Sequence, residues 1–441
     1  MAPDVASLYP DHVLRLSRSY DAILAAEQLD AVLIHSGTPR PRSTFDDQWW
    51  PLRVVPHFAH FVPLVEADAV LIVRPARRPT LVRLVEANFW EQAPPPAAHA
   101  FGAVDVVEAR SVGELARALP TASPRVAFIG EDAARAAALG HPLATSASLL
   151  RAINETRVHK SAYDVACLDE ANRVAARGHV AVRDAFLAGG GDSELDLHLT
   201  FLRATAQDDA ETPYKNIVAL GDHAATLHHV SYGRAASAGA TSLLLDAGAT
   251  CFGYASDVTR TYVRGASAEV DAFRVLLGAV ERLQQRLCAE VAIGRPYEAL
   301  HDQAHRYVGE ALREVGVVRG SAEEAVAGGV TRAFLPHGLG HSLGITCHDV
   351  GCAEVRPRAD NPFLRNTRPV EVDQVFTIEP GVYFIPALLD PLRAGPRGAA
   401  IDWKLVDALA PLGGIRIEDD LHVRAASAGG TANLTRAHLP T

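Results

Sequence analysis

Residues 242–262 read SLLLDAGATCFGYASDVTRTY, and this stretch decides the fold. An apolar run ends at Asp246, and a second, alternating run contains Asp257. Gly248 and Gly253 separate the two runs, a pattern that predicts paired strands. A carboxylate that ends a buried strand is costly unless it is paired or bound to a cation. The stretch therefore predicts either a divalent metal between two mutually repelling carboxylates or one buried salt bridge and one surface aspartate.

The composition indicates a soluble globular protein. Of the 441 residues, 48% are hydrophobic and 21% are charged, and the formal net charge of -10 disfavours nucleic acid as a partner. No apolar run approaches the roughly 18 residues that span a bilayer, and no signal peptide is visible. We therefore expect a cytoplasmic protein with no membrane partner. An odd number of cysteines without CxxC spacing indicates reduced thiols, at Cys167, Cys251, Cys288, Cys347 and Cys352.

Hydrophobic periodicity divides the chain into two predicted domains. Three short apolar runs predict the strands of an α/β unit, at 31–35, 70–73 and 126–129. A long helical pattern then occupies 160–187. The change from short runs to a long helix predicts a boundary near residues 152–160, and therefore domains at 1–155 and 156–441.

Two segments of the second domain receive specific secondary-structure predictions. The segment 225–230 contains His228 and His229 in tandem and is expected to be a strand. The segment 386–398 is rich in proline and glycine and is expected to be a loop.

A histidine-rich segment at 336–349 reads PHGLGHSLGITCHD. Its three histidines, His337, His341 and His348, are candidate ligands because imidazole is the commonest side-chain metal ligand. The spacing of the first two matches a zincin helix, but the glycines between them disfavour a helix and no glutamate follows the first. The zincin interpretation is therefore rejected.

Two further segments contribute carboxylates. The segment 376–381, FTIEPG, ends an apolar run at Glu379, and the alternation in 413–419, GGIRIED, places Arg416 and Glu418 on one face of a strand. Each segment alone could be structural. Together with the two aspartates they form an oxygen-rich set with nitrogen ligands, which suits Mn, Co or Zn in a two-metal hydrolytic site better than Mg or Ca alone.

The order of these residues resembles that of the pita-bread metallopeptidases, which include methionine aminopeptidase, aminopeptidase P and prolidase. The fuller phrases resemble the bacterial Xaa-Pro dipeptidases and the related organophosphorus acid anhydrolases. The resemblance runs from the FDD loop at 45–47 to about Val423. Its phrases are TPYKNIV at 212–218, LH at 227–228, DAG, DVTRTY, HGLGH, LR at 364–365, TIEPG and GGIRIE.

The resemblance implies an α/β fold, with a small N-terminal creatinase-like domain, a C-terminal pita-bread catalytic domain and a homodimer. In the family, the metal histidine is followed seven residues later by another histidine, a rule that selects His341. Two divalent ions are implied, with Mn expected and Co or Zn as alternatives. Asp246 and Glu418 would bridge the ions, Asp257 would hold one, and His341 and Glu379 would hold the other.

The same resemblance implies cleavage of an Xaa-Pro dipeptide by a metal-bridging hydroxide. Glu379 would move a proton from the nucleophile to the proline nitrogen, and His348, His228 and Tyr383 would assist. The proline carboxylate would meet Arg365 and His228, while Arg416 would brace the site beside Glu418. The implied pocket residues, for which ordinary packing stays open, are Asp47, Tyr214, Leu227, His228, Tyr297, His337, Leu364, Arg365 and Arg416. In relatives an acid of the 45–47 loop reaches the partner's active site, which makes Asp47 a candidate contact for the substrate amine.

Three departures from the family pattern bear on substrate preference. His229 stands where tyrosine is usual, Cys347 replaces a usual valine, and Cys352 stands where glycine is common.

Two other functions stay open: aminopeptidase P-type cleavage of longer peptides, and a metal-free peptide- or histone-binding module, against which the five ligands argue. Side activity on organophosphate triesters is also open.

Overall fold

The three predicted strands of the first third are present and belong to one five-stranded sheet. The computed structural model describes residues 4–86, 89–90, 95–143, 145–189, 192–237, 239–350 and 355–440. The sheet has the order β4-β3-β2-β1-β5, in which β1 pairs antiparallel with β2 and parallel with β5. Its strands are β1 Ala31–His35, β2 Val70–Val73, β3 Thr80–Leu84, β4 Asp105–Ala109 and β5 Val126–Ile129.

Along the described part of the chain, five helices belong to the same unit as this sheet: α1 Val5–Ala26, α2 Pro56–Phe61, α3 Val112–Ala118, α4 Ala133–Ala138 and α5 Ala147–Glu155. The next helix is α6 Ala162–Ala188. The chain separates into two compact units, Met1–Cys167 and Leu168–Thr441. The division therefore falls inside α6. The long helix predicted at 160–187 corresponds to α6.

The second unit is built from helices around several small sheets. Its helices are α7 Glu194–Thr205, α8 Ala268–Ala289, α9 Tyr297–Glu314, α10 Ala322–Ala327, α11 Val330–Phe334, α12 Pro386–Ala394 and α13 Trp403–Leu409. Its strands are β6 Ile217–Leu220, β7 Ser242–Asp246, β8 Thr250–Cys251, β9 Tyr254–Ala255, β10 Thr259–Val263, β11 Val375–Ile378, β12 Gly381–Tyr383, β13 Gly414–Arg416, β14 Asp419–His422 and β15 Ala432–Asn433. The largest apolar core packs α8 and α9 against β11, β12 and β13, so these strands have a rigid backing.

The sheets bring together strands that are distant in sequence. β7 is central in the order β10-β7-β6, β14 is central in β11-β14-β15, and β12 pairs with β13, all antiparallel. All five residues of β7 are buried. This double-sided burial explains the continuous apolar run before Asp246.

Residues 242–262 form paired strands as predicted, except that Asp257 lies outside them. β7 pairs antiparallel with β10, so that Asp246 lies opposite Thr259. The short hairpin β8–β9 lies between them, and its turn places Phe252 and Gly253 at positive φ. Asp257 therefore lies in the link between β9 and β10, not on a strand.

The strand prediction for 225–230 is wrong. A 3-10 helix, Gly221–Ala225, is followed by irregular backbone, and neither His228 nor His229 lies in a strand. The apolar positions in this segment are few, and the imidazole of His229 instead bonds to Glu194. A side-chain contact, not a ladder of backbone hydrogen bonds, therefore fixes this segment.

The loop prediction for 386–398 is also wrong. Residues Pro386–Ala394 form α12, and Pro396–Ala400 form a 3-10 helix. Pro386 occupies the first helical turn, where a missing N–H removes no helical hydrogen bond. Leu389 and Leu392 are buried one turn apart, so burial of this apolar face outweighs the helix-breaking effect of the prolines and glycines.

Among the described residues, no helix is long and apolar enough to cross a membrane.

Candidate metal centre

Backbone pairing places Asp246 and Glu418 near one another. Asp246 ends β7 opposite Thr259, and the Glu418 N–H donates to the Thr259 carbonyl over 3.0 Å. The Thr259 hydroxyl also donates to Glu418 Oε2 over 2.6 Å. The two carboxylates are therefore fixed around one threonine of β10, although they are far apart in sequence.

A second backbone arrangement places His341 beside Glu379. The segment that contains the histidines runs along β11, where the Thr377 N–H donates to the His341 carbonyl over 2.9 Å and the Glu379 N–H donates to the Leu339 carbonyl over 2.8 Å. His341 Nε2 lies 3.7 Å from Glu379 Oε1 and 3.3 Å from Asp257 Oδ2. This segment acts as an extra extended chain and not as the helix of a zincin.

The predicted ligands converge. Potential ligand atoms of Asp257, His341 and Glu418 all lie within 4.8 Å of one another. Glu379 joins them through His341, and Asp246 joins them through Thr259. The structure therefore brings together the five side chains that sequence analysis selected, while their role as ligands stays a prediction.

Burial and mutual repulsion dominate the electrostatics of these acids. Burial raises the pKa of Glu379 to about 7, and it raises the pKa of Glu418 well above its usual range, with Asp257 and Glu379 adding repulsion. Burial also raises the pKa of Asp246, although Arg416 opposes the shift. For Asp257, burial acts to raise the pKa, but the hydrogen bonds with His341, Cys347 and Tyr214 and the charge of His341 together outweigh burial and lower it. A site of this kind strongly favours a bound cation.

Two oxygen atoms indicate where positive charge is missing. Asp246 Oδ1 and Glu418 Oε1 are buried and have no hydrogen-bond partner among the described residues. Their residues are 8% and 2% exposed, so water does not readily compensate. Four carboxylates and one imidazole are a donor set that borderline divalent ions accept. The residues present therefore fit the divalent metals predicted from sequence.

Arg416 supplies a fixed positive charge behind the centre. Its Nη2 donates to Asp246 Oδ2 over 2.5 Å, its Nε donates to the Thr259 hydroxyl over 3.2 Å, and its Nη1 donates to the Tyr383 hydroxyl over 2.9 Å. Its contact toward Glu418 therefore passes through Thr259. The guanidinium fork orients one acid, one hydroxyl and one phenol at once.

Two predicted pocket tyrosines make other contacts. The Tyr214 hydroxyl donates to Asp257 Oδ1 over 2.6 Å and so orients a predicted ligand. Tyr297 is 0% exposed, its ring packs edge-on against Phe376, and its hydroxyl donates to the Thr377 carbonyl. Tyr297 therefore supports β11 from within the core. Composition and periodicity gave no signal for either contact, since both partners are distant in sequence.

Several other predicted residues surround the centre. His337 Nε2 lies 2.8 Å from the Tyr383 hydroxyl, and the ring of His348 stands edge-on to His341 at 4.5 Å. Burial lowers the pKa of His337 to about 3 and that of His348 to about 4, so both are neutral at pH 7. His228 and Arg365 are exposed and act electrostatically on His348, while Leu227 is half-buried and Leu364 is buried.

Two further predictions concern Asp47 and Cys352. Asp47 belongs to the N-terminal unit, where its loop is exposed and its Oδ1 accepts a hydrogen bond from Gln48 Nε2 over 3.2 Å. Its contact with a partner's site stays a prediction. Cys352 lies outside the described residues.

Comparison with known proteins identifies the family. The profile of metallopeptidase family M24 matches residues 166–425, and the profile of the Xaa-Pro dipeptidase N-terminal domain matches residues 7–152. The chain belongs to metallopeptidase family M24. It is therefore an enzyme, and the predicted relationship to the bacterial Xaa-Pro dipeptidases is confirmed.

Individual relatives support this placement in M24. An Xaa-Pro dipeptidase of Marinobacter nauticus is 40% identical over 435 residues, covering 98% of each chain, and one of Edwardsiella ictaluri is 39% identical over 445 residues with the same coverage. The structure of a Yersinia pestis proline aminopeptidase P II superimposes with a TM-score of 0.74 at 24% identity, covering 97% of this chain and 96% of that one. Zn-substituted aminopeptidase P of E. coli, in complex with product, gives 0.72 at 22% identity, covering 97% and 95%. The predicted pita-bread fold with an N-terminal domain is confirmed, while the division at 155 and 156 stays a prediction.

Sequence analysis missed the role of a buried acid of the M24 unit, Glu194. Glu194, the first residue of α7, is 2% exposed. Its Oε1 accepts from Leu220 N–H over 2.9 Å and lies 2.6 Å from His223 Nδ1. Its Oε2 accepts from Gly233 N–H over 2.7 Å and lies 2.8 Å from His229 Nε2. One carboxylate therefore fixes both ends of the segment that contains His228.

We predict that Glu194→Gln loosens this segment. The amide places an NH₂ group against donors that need an acceptor, so the free energy of unfolding should fall by about 2 to 3 kcal/mol. Urea unfolding measures the loss, and hydrogen exchange should accelerate at 221–233. Asp222→Asn makes the same chemical change at an exposed side chain of this segment and should cost less than about 0.5 kcal/mol. Equal losses in the two variants would contradict the predicted role of Glu194.

Proposed function

We propose that this protein cleaves Xaa-Pro dipeptides to a free amino acid and proline. The carrying observation is the convergence of five ligand-type side chains in which two buried carboxylate oxygens, Asp246 Oδ1 and Glu418 Oε1, lack partners among the described residues. The M24 match and the 36–40% identity to proteins named Xaa-Pro dipeptidase support the reaction class. Asp246, Asp257, His341, Glu379 and Glu418 would hold two divalent ions.

When bound, such a pair of ions makes hydroxide available near neutral pH and polarises the substrate carbonyl. The oxygen-rich ligand set favours manganese, with cobalt and zinc as alternatives. The remaining work belongs to side chains of this chain. They bind the peptide, orient its carbonyl and move a proton to the leaving nitrogen.

Glu379 is the proposed proton carrier. Its carboxyl group faces the other acids and lies 3.8 Å from His337 Nδ1, through Oε2. The peptide nitrogen of proline has no hydrogen and must gain one to leave as an amine. A carboxylate beside the nucleophile can take the proton there and hand it to that nitrogen.

Neutral histidines would orient the substrate. His348 and His337 are neutral at pH 7 because burial lowers their pKa values. The His348 ring can therefore donate one hydrogen bond to the substrate without placing a charge near the cations, whereas the N–H of His337 is directed to the Gly338 carbonyl over 2.7 Å. Tyr383 lies between His337 and Arg416 and would transmit the position of the guanidinium to the imidazole. The exposed His228 would complete the contacts to the developing oxyanion.

Selection of a dipeptide requires a cation for the proline carboxylate. Arg365 is exposed, its charge acts on His348, and its planar fork matches a carboxylate in two hydrogen bonds. A peptide extended beyond proline has no carboxylate at that position. This requirement favours a dipeptidase over an aminopeptidase P-type activity.

The N-terminal loop suggests a homodimeric enzyme. Asp47 is exposed on the N-terminal unit, and we propose that it meets the substrate amine in the partner's active site. An aspartate supplies the negative charge that an N-terminal ammonium group requires. Side activity on organophosphate triesters is a further proposal that rests on the resemblance.

We predict that Glu379→Gln keeps the fold and lowers kcat on Ala-Pro by about 1,000-fold, because the amide cannot accept the proton. Circular dichroism reports the fold, and elemental analysis reports metal content and identity. The exposed Glu323→Gln serves as control and should retain wild-type kcat. Undiminished turnover in Glu379→Gln would remove this residue from the mechanism.

Substrate length is expected to separate the two peptidase activities. At saturating Mn²⁺, kcat/KM for Ala-Pro should exceed that for Ala-Pro-Ala by about 100-fold, because the longer peptide leaves Arg365 without its carboxylate. Arg365→Gln should reduce this ratio, whereas the exposed Arg356→Gln should preserve it. Faster cleavage of the tripeptide would favour aminopeptidase P. A triester included in the same assay measures the organophosphate activity.

Subunit complementation tests the shared site. Asp47→Ala and Glu379→Gln chains should each be poorly active, yet a mixed dimer contains one site with both wild-type residues. Co-refolding equal amounts should restore about a quarter of wild-type activity if subunits pair at random. Light scattering should give twice the mass of one chain. A monomer in solution, or no complementation, would refute the shared site.

A further inference from the structure

Cys347 lies inside the candidate metal centre, although it is absent from the five proposed ligands. Its Sγ is 2.9 Å from Asp257 Oδ2. Ligand atoms of His341, Cys347 and His348 also lie within 4.8 Å of one another. A valine, which the family pattern has at this position, would present only methyl groups to the same carboxylate.

The surroundings of Cys347 indicate a place for a cation. Cys347 Sγ and His341 Nε2 both lie close to Asp257 Oδ2, at 2.9 Å and 3.3 Å, and ligand atoms of Asp257, His341 and Glu418 lie within 4.8 Å of one another. Two carboxylate oxygens of the centre, Asp246 Oδ1 and Glu418 Oε1, are buried and have no partner among the described residues. The thiol therefore contacts a carboxylate of the group in which these oxygen atoms lack a counter-charge.

Sulfur changes the chemistry of such a point. A thiol is a weak hydrogen-bond donor, so its contact with Asp257 contributes little by itself. As a thiolate it is a soft ligand that binds zinc and cobalt strongly, whereas manganese prefers carboxylate oxygen and water. The proton of the thiol is released to solvent when the sulfur binds the ion.

We propose that Cys347 is a sixth ligand, which binds the ion held by Asp257 and shifts the preference of the centre toward zinc and cobalt relative to manganese. This inference rests on the metal centre of the proposed function. The inference concerns how strongly the centre prefers one metal ion over another, which the five proposed ligands alone do not fix.

Cobalt absorbance tests the proposal without an activity assay. The full-length protein is stripped with a chelator and titrated with Co²⁺. The wild type should develop both visible d–d bands and an intense sulfur-to-cobalt charge-transfer band in the near ultraviolet. Cys347→Val should keep the visible bands and lose the near-ultraviolet band. If the valine variant folds poorly, Cys347→Ser replaces it in the test. Serine preserves the shape of the side chain but lacks sulfur, so this variant should lose the same band.

Two controls separate ligation from indirect effects. Tyr214→Phe removes the hydrogen bond from the Tyr214 hydroxyl to Asp257 Oδ1 and should retain the charge-transfer band. Cys251→Ser removes a thiol of β8 and should also retain it. Loss of the band in Cys251→Ser, with retention in Cys347→Val, would assign the sulfur ligand elsewhere and overturn the proposal.

Metal competition gives an independent readout. The ratio of Zn²⁺ to Mn²⁺ affinity, measured by calorimetry, should fall by at least about tenfold in Cys347→Val, the lower end of the change that one supporting contact causes. Visible cobalt bands without a charge-transfer band in the wild type would refute Cys347 as a ligand and leave the metal centre intact. Absence of any cobalt binding would refute both.

Discussion

The structure depends on the concentration of four carboxylates, Asp246, Asp257, Glu379 and Glu418, in a buried space that also contains one imidazole. Inside a protein each of these charges loses hydration, and each repels the others. Arg416 compensates Asp246 at 2.5 Å, and His341 compensates Asp257 at 3.3 Å. Those two cations do not balance four acids, which is why the raised pKa values of Glu379 and Glu418 mark the part of the site that requires a metal.

Adjacent acids in one strand region show how the fold separates structural from functional charge. Asp419 follows Glu418 directly and points to the opposite side of the chain. It is 0% exposed, yet both oxygens of its carboxylate accept hydrogen bonds. Four side chains donate to them: Arg260, Gln284, Asn433 and Arg436. Glu418 has one donor, Thr259, and one oxygen without a partner. The carboxylate of Asp419 therefore stabilises the core, whereas that of Glu418, on the other side of the chain, is available to bind a cation.

Sequence analysis found the acids and the order in which they occur, since strand-ending carboxylates and short glycine-bounded runs are local signals. It did not find the contacts that orient them. Arg416 and Asp246 are 170 positions apart in sequence, and the bond from Tyr214 to Asp257 spans 43. Such pairs follow from the way distant strands and links pack together, which local periodicity does not determine. The errors at 225–230 and 386–398 have the same origin, because Glu194 fixes the first segment and burial of Leu389 and Leu392 fixes the second.

Burial links stability to the proposed chemistry in this enzyme. The low dielectric that makes ionised Glu418 and Asp246 costly also strengthens their attraction to a cation. A ligand that binds only the folded state stabilises it. Part of the free energy of metal binding therefore offsets the cost of keeping the acids ionised and close together. Replacing one proposed ligand by an apolar residue would relieve repulsion in the metal-free protein, so the proposed ligands lower the stability of the metal-free chain. The deep core around α8 and α9 packs against β11, β12 and β13, which adjoin Glu379 and Glu418, and its burial offsets that cost.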